Sequence, residues 1–178
     1  MADDREFWKK IANGNANAFD AWYRDTAPRL QIFLRHLLAN EQAVEDVMQE
    51  TFTQIWHHPH RFDPGRGSPR AYLFGVARRQ AAEWRRKHKT ADELEFDPAA
   101  PDRVEFASMV TEALSRLTLE HQTLLWLREV EGQSYEELAM ILEIPLGTVR
   151  SRLFAAREAL RKLWCVARQH SGGRHDLQ

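Results

Sequence analysis

Cysteine is nearly absent. Cys165 is the one thiol in 178 residues, so the chain cannot close an internal disulfide or build a cysteine-rich metal site. A lone thiol fits a reducing compartment, and the cytoplasm is the expected location. Long hydrophobic runs are also missing. No stretch approaches the roughly 18–20 apolar residues that a membrane span needs, so no membrane insertion is expected. The N-terminus, Met1-Ala2-Asp3-Asp4-Arg5, is polar and acidic with no apolar stretch behind it, unlike a secretory signal. The period-two alternation of half-buried strands does not occur. Neither a phosphate-binding glycine loop nor a nucleophile beside a base can be found, which argues against an enzyme. The histidines His57, His58 and His60 are the nearest thing to a metal site. Adjacent histidines on a helix point in different directions, however, and no cluster at ligand spacing accompanies them. No cofactor and no metal are expected.

What the sequence does have is segregated charge. The formal net charge is −1, which taken alone argues against a nucleic-acid binder. From Pro69 to Lys89, however, seven bases (Arg70, Arg78, Arg79, Arg85, Arg86, Lys87, Lys89) stand against one acid, Glu83. From Leu146 to Arg168 there are six bases and one acid, Glu158. The acids gather elsewhere: Glu41 to Glu50, Asp92 to Glu105 and Glu129 to Glu143. Two basic blocks far apart predict two nucleic-acid contacts, with acidic surfaces left for another partner.

Apolar spacing predicts an all-α chain, with helices over 16–39, 42–57, 68–88, 104–116, 118–130, 134–142 and 146–166. Pro28 is expected to break or restart the first of these. Residues 90–102 are acidic, contain Pro98 and Pro101 and lack periodicity, as a linker does. The expected organisation is two small helical domains joined by a flexible linker: residues 1–90, an acidic linker at 91–104, a second domain at 105–168, and a disordered tail at 169–178 that includes Ser-Gly-Gly.

The C-terminal block has the pattern of a helix-turn-helix. Thr118 is placed to cap one helix and Gly132 to end it. Ser134 and Glu137 make a capping box for a short helix carrying Leu138, Ile141 and Leu142. The run Glu143-Ile144-Pro145-Leu146-Gly147 then breaks the chain. In the last helix Val149, Leu153, Ala156, Leu160 and Leu163 share one face, and Arg150, Phe154, Arg157 and Arg161 share another. A second helix with a basic outward face is built to enter a major groove and read bases from its first turns. Arginine forks suit guanine edges and phosphates. A plain helical hairpin with a solvated basic face shares these single features; it is their combination that favours DNA.

In the N-terminal block, residues 42–57 are amphipathic. Val44, Met48, Phe52 and Ile55 form one side, and Asp46, Gln49, Glu50 and Thr53 gather on another. Acidity of that kind is equally what simple solubility produces. Ser68 and Pro69 open the next helix, with Leu73, Val76, Ala77 and Trp84 as its buried stripe and Arg78, Arg79, Arg85 and Arg86 opposite. Arginines beside exposed aromatics provide what a single strand requires, charge for the backbone and flat surfaces for bases. Trp84 reads as core; Phe74 fits either role.

Together these residues resemble the sigma-70 superfamily, specifically the extracytoplasmic-function (ECF) sigma factors. The resemblance covers roughly 16–90 and 105–166. Ala43-Val44-Glu45-Asp46-Val47-Met48-Gln49-Glu50-Thr51-Phe52 through Trp56 is similar to the family's core-binding helix. Ala71-Tyr72-Leu73-Phe74-Gly75-Val76-Ala77-Arg78-Arg79-Gln80 is similar to its promoter-melting helix. Gly147-Thr148-Val149-Arg150-Ser151-Arg152-Leu153 resembles sigma domain 4. The resemblance implies a transcription initiation factor serving a stress or envelope response. It implies that Asp46, Gln49 and Glu50 contact the largest subunits of core RNA polymerase. Arg66, Arg78, Arg79 and Arg86, with the loop around 60–68, would hold the −10 single strand and a flipped base. Thr148, Arg150, Ser151, Phe154 and Arg157 would read the −35 duplex. An anti-sigma factor is the further partner implied. Two positions depart from the pattern. Arg79 stands where the family often has Asn, and Ala155 where many members carry a basic residue.

Overall fold

A computed structural model describes residues 2–38, 40–65, 67–88 and 116–171 of the chain, and among these every regular element is helical. The first is α1 (Ala2–Ala12), which has no counterpart among the helices expected from periodicity. Trp8 and Ile11 anchor it in the core, too short an apolar signature to stand out from a polar N-terminus. Next comes α2 (Ala16–Leu37), where the Asn15 side chain accepts a hydrogen bond from the Ala18 N–H at 3.0 Å. Contrary to expectation, α2 runs unbroken through Pro28. The proline sits on the exposed face, while Trp22, Thr26, Leu30, Phe33, Leu34 and Leu37 bury the other. Packing along that whole stripe outweighs the ~3 kcal/mol local cost of an interior proline.

Asn40 caps α3 (Glu41–His57) through the Ala43 N–H at 3.2 Å. A 3-10 turn, Pro59–Arg61, leads to α4 (Pro69–Lys87), capped by Ser68 with Pro69 as its first residue. In the second half, Thr118 caps α5 (Leu119–Leu125), which widens into a π turn over Trp126–Val130. Gly132 takes a left-handed φ of 66° there, a conformation open to glycine at little cost. The expected capping box opens α6 (Tyr135–Leu142), with both the Ser134 and Glu137 bonds formed. Glu143 terminates α6 with a φ of 57°, and α7 (Leu146–Ser171) follows. Gln169, His170 and Ser171, assigned to a disordered tail by composition, continue this helix. The helix expected at 104–116, the linker at 91–104 and residues 172–178 lie outside the described residues.

Helices α2, α3 and α4 pack together with α1 at one end, and α5, α6 and α7 form the helix-turn-helix unit. The two helical units expected from the sequence are both present, and in the structure they pack on each other. Leu30, Phe33, Leu73, Phe74 and Ala77 from the first belong to the same continuous apolar core as Leu124, Leu138, Ile141 and Leu153 from the second. The junction is the packing of α4 on α6. A Cβ placed on Gly75 would lie 3.7 Å from the Ile141 Cα, an ordinary van der Waals contact, so the two helix backbones meet closely here.

Candidate nucleic-acid and polymerase interface

The helix-turn-helix presents one cleanly solvated face. Val149, Leu153 and Ala156 of α7 are fully buried. A quarter-turn away, Arg150 and Ser151 are exposed, and Phe154 is 69 % exposed. Among the described residues Arg150 has no hydrogen-bond or ion-pair partner. The Ser151 hydroxyl donates to the Thr148 carbonyl at 3.0 Å, and Thr148 itself is half-buried. An exposed aromatic beside an uncommitted arginine at the start of the second helix is suited to a major groove, where it meets thymine methyls and guanine edges.

The arginines farther along α7 are differently employed. Arg157 reaches Glu129 of the π turn at 2.7 Å. Hydrogen bonds to Glu129 first, and then to Tyr135, raise its already high pKa. Arg152 pairs with Glu120 of α5. Spacing on one helix grouped Arg157 with the groove-facing residues, but a cross-helix acid turns it partly inward. Such half-exposed pairs contribute ~0.2–1 kcal/mol and hold α7 against α5.

On α3, Asp46, Gln49 and Glu50 are all exposed, and the Asp46 carboxylate accepts a hydrogen bond from the Gln42 side chain at 3.0 Å. The buried stripe is Ala43, Val44, Val47, Thr51, Phe52 and Ile55, with Met48 half-buried at its edge. Beside the acidic edge runs a cleft of about 440 Å³ between α2 and α3, lined by Phe19, Tyr23, Met48, Gln49 and Trp56 among others. Spacing within α3 alone could not reveal it, because its other wall comes from α2. An apolar cleft with one acid, Glu45, in its lining and Asp46 and Glu50 nearby on the same helix fits a basic amphipathic helix.

The third surface is the 58–68 loop with α4. Trp8 meets Phe62 edge-on at 4.8 Å, and Tyr72 packs on Phe62 at 5.5 Å. Asp63 accepts a hydrogen bond from the Gly65 N–H, fixing the turn. Burial pushes the Tyr72 hydroxyl up in pKa, with the charges of Arg79 and Arg61 opposing. Phe74, ambiguous by sequence, is 1 % exposed and belongs to the core, 5.0 Å from Phe33. Trp84, read as core, is only half-buried and stacks on His88 at 4.2 Å.

Of the four arginines expected to face a strand, the three among the described residues are not gathered in one place. Arg86 is on the exposed end of α4 near Glu83. Arg79 pairs with Glu143 at 2.8 Å. Arg78 is half-buried against α6, making a long 3.5 Å contact with the Ile141 carbonyl. Arg66 lies outside the described residues. A cleft of about 460 Å³ is floored by Gln54, Phe62, Asp63, Tyr72 and Arg79 and roofed by Met140, Ile141 and Glu143. His57, His58 and His60 are exposed, and the described residues contain no metal-binding cluster.

Comparison with known proteins identifies the family. The chain matches the family described as Sigma-70 region 2 over residues 8–90, and Sigma-70, region 4 over residues 107–160. RNA polymerase sigma-H factor of Pseudomonas aeruginosa is 30% identical, the match spanning 89% of this chain and 92% of that protein. The chain belongs to the sigma-70 family. ECF RNA polymerase sigma factor SigL of Mycobacterium tuberculosis is 32% identical across 84% of this chain and 90% of its own length, which places this sigma factor in the ECF group. Two solved folds agree. CnrH in complex with the cytosolic domain of CnrY has a TM-score of 0.69 and 27% identity, covering 92% of this chain and 97% of that one. The sigma factor RpoE of Bartonella quintana, solved with the anti-sigma factor NepR, has a TM-score of 0.67 and 25% identity, covering 83% and 97%. No helix among the described residues is long and apolar enough to cross a membrane.

One side chain between the sigma factor's two halves carries a pH prediction. His36 near the end of α2 lies 4.7 Å from the Trp126 ring of the π turn, and burial pushes its pKa below the ordinary 6.5. The folded protein therefore holds His36 neutral where the unfolded chain would take up a proton. Its contribution to stability is complete above pH 6.5 and declines as pH falls from there toward the lowered value. Thermal unfolding followed by circular dichroism should show a midpoint that drops between pH 7 and pH 5. His36→Gln should lessen that drop, and an equal drop in the variant would remove His36 from the account.

Proposed function

We propose that this sigma factor directs core RNA polymerase to promoters by holding two DNA elements at once. Residues 105–168 read the −35 element as duplex, and residues 1–90 capture the −10 element as a single strand. Asp46, Gln49 and Glu50, with the α2–α3 cleft beside them, dock on the polymerase's largest subunits. Arg150, Ser151 and Phe154, with Thr148 at the helix start, read base edges, and Arg157 adds a phosphate contact from the position where Glu129 holds it. Arg78, Arg79 and Arg86, with Arg66 in the loop, hold the −10 strand. The work is binding throughout, carried out in the cytoplasm, with no bond made or broken by this chain. Duplex contacts fix the register. Unstacking a base costs a few kcal/mol, and stacking on aromatic surfaces returns ~1–3 kcal/mol per base. An anti-sigma factor that covers the polymerase-binding faces would silence it.

The observation that carries this proposal is the uncommitted Arg150 beside the exposed Phe154 on the recognition helix. Arg150→Ala should cost ~1–3 kcal/mol of −35 discrimination, the value of one bidentate base contact. Run-off transcription with core polymerase on templates with intact or scrambled −35 elements measures this directly. An unchanged preference between templates would reject the assignment.

A further inference from the structure

Two arginines of α4 are half-buried with no carboxylate beside them. Arg78 and Arg85 stand seven residues apart, so they share one face of the helix. Among the described residues Arg78 makes only the long 3.5 Å contact with the Ile141 carbonyl, and Arg85 has no hydrogen-bond or ion-pair partner. A guanidinium withdrawn from water is normally paired, and it cannot shed its proton to escape the cost. Arg79, Arg157 and Arg161, at more exposed positions, each have a glutamate.

Both unpaired side chains border one cleft of about 290 Å³, with walls from α2, α4, α5, α6 and α7. Leu37, Ala81, Leu142 and Ile144 give it an apolar floor. Ala81 and Ala82, between the two arginines on α4, leave the space that longer side chains would fill. A third guanidinium, Arg152 of α7, enters from the opposite wall and is already shared with Glu120. The Thr123 hydroxyl is committed to the Leu119 carbonyl at 2.8 Å. Three guanidiniums therefore stand against one carboxylate around an apolar floor.

We propose that this cleft is a binding site for a nucleoside diphosphate. Arginine forks take phosphate oxygens in pairs, and the floor takes the flat base. The volume is near the lower end of the ~300–1,000 Å³ typical of small-molecule sites, which suits one nucleotide. A nucleic-acid strand is the poorer fit, because its neighbouring units would have to leave the cleft on both sides. Arg78 is shared with the strand-holding set proposed above. Arg85 and Arg152 are not, so the site can be tested without disturbing that set.

The test uses the full chain and fluorescently labelled ADP, followed by anisotropy. Labelled ADP should bind saturably, and unlabelled ADP should displace it. Pyrophosphate lacks the apolar body and adenosine lacks the charge, so each should compete at least about tenfold more weakly. ADP should also raise the melting midpoint of the chain, because it binds the folded form. Arg85→Ala should weaken binding at least about tenfold, the loss of one charge-assisted contact. Ala82→Trp keeps every arginine and fills the space instead. Ala82 is exposed at the edge of the cleft, so the melting curve should hold while binding again falls about tenfold or more. Should Arg85→Ala fail to fold, this second variant still decides. Lack of saturable binding at millimolar ADP would overturn the proposal, as would unchanged affinity in Ala82→Trp. Displacement by pyrophosphate or by single-stranded DNA as readily as by ADP would also overturn it, leaving the cleft a general basic surface.

Discussion

Reversing Asp46 and Glu50 to lysine together abolishes capture of core RNA polymerase and leaves the helical circular dichroism signal where it was. Both side chains are exposed on α3. Asp46 accepts only an exposed hydrogen bond from the Gln42 amide among the described residues, so the fold gives up almost nothing. Docking, in contrast, loses two charges and meets two of the wrong sign. Truncating one partner of a desolvated charge pair costs ~2–5 kcal/mol, and juxtaposed like charges add repulsion, so affinity should fall by at least about a hundredfold. A pull-down with purified core polymerase measures this. Undiminished capture would remove α3 from the docking surface and leave its acidity as simple solvation.

Phe74→Ala destabilises the protein by ~3–5 kcal/mol, the usual cost of emptying a buried phenylalanine site. That is a large share of the ~5–15 kcal/mol that holds a typical domain folded. Phe74 is 1 % exposed, edge-on to Phe33. Urea unfolding supplies the number. The alternative role, a platform for an unstacked base, predicts the opposite pattern: stability nearly intact and strand binding weakened. The two measurements together separate core from platform.

Most of what could be read from sequence was local. Each of the caps Ser68, Thr118 and Ser134 acts on the residue three positions on, and such spacing is visible in a string of letters. The division of α7 into buried Val149, Leu153 and Ala156 and exposed Arg150 and Phe154 follows from the 3.6-residue period. What escaped was non-local or weakly marked. Helix α1 announces itself only through Trp8 and Ile11. Pro28 carries a strong local signal for a break, yet contacts made by residues on either side of it override that signal. The capture of Arg157 by Glu129 spans 28 positions, and that of Arg79 by Glu143 spans 64. Gly75, Met140 and Ile141 each look explicable within their own half, so nothing in the letters says that the halves meet. The basic and aromatic residues proposed to hold the −10 strand are visible in the letters as chemistry. The packing of α6 beside them is not, because that depends on how one helix settles on another.

The apolar core that runs without interruption from Leu30 to Leu153 has a consequence for how damage spreads. Amides in α4 and α6 should share one slow opening event in hydrogen exchange, since neither helix can expose its backbone without undressing the other. A lesion in the half that reads duplex DNA is then felt as softened protection in the half that docks on polymerase.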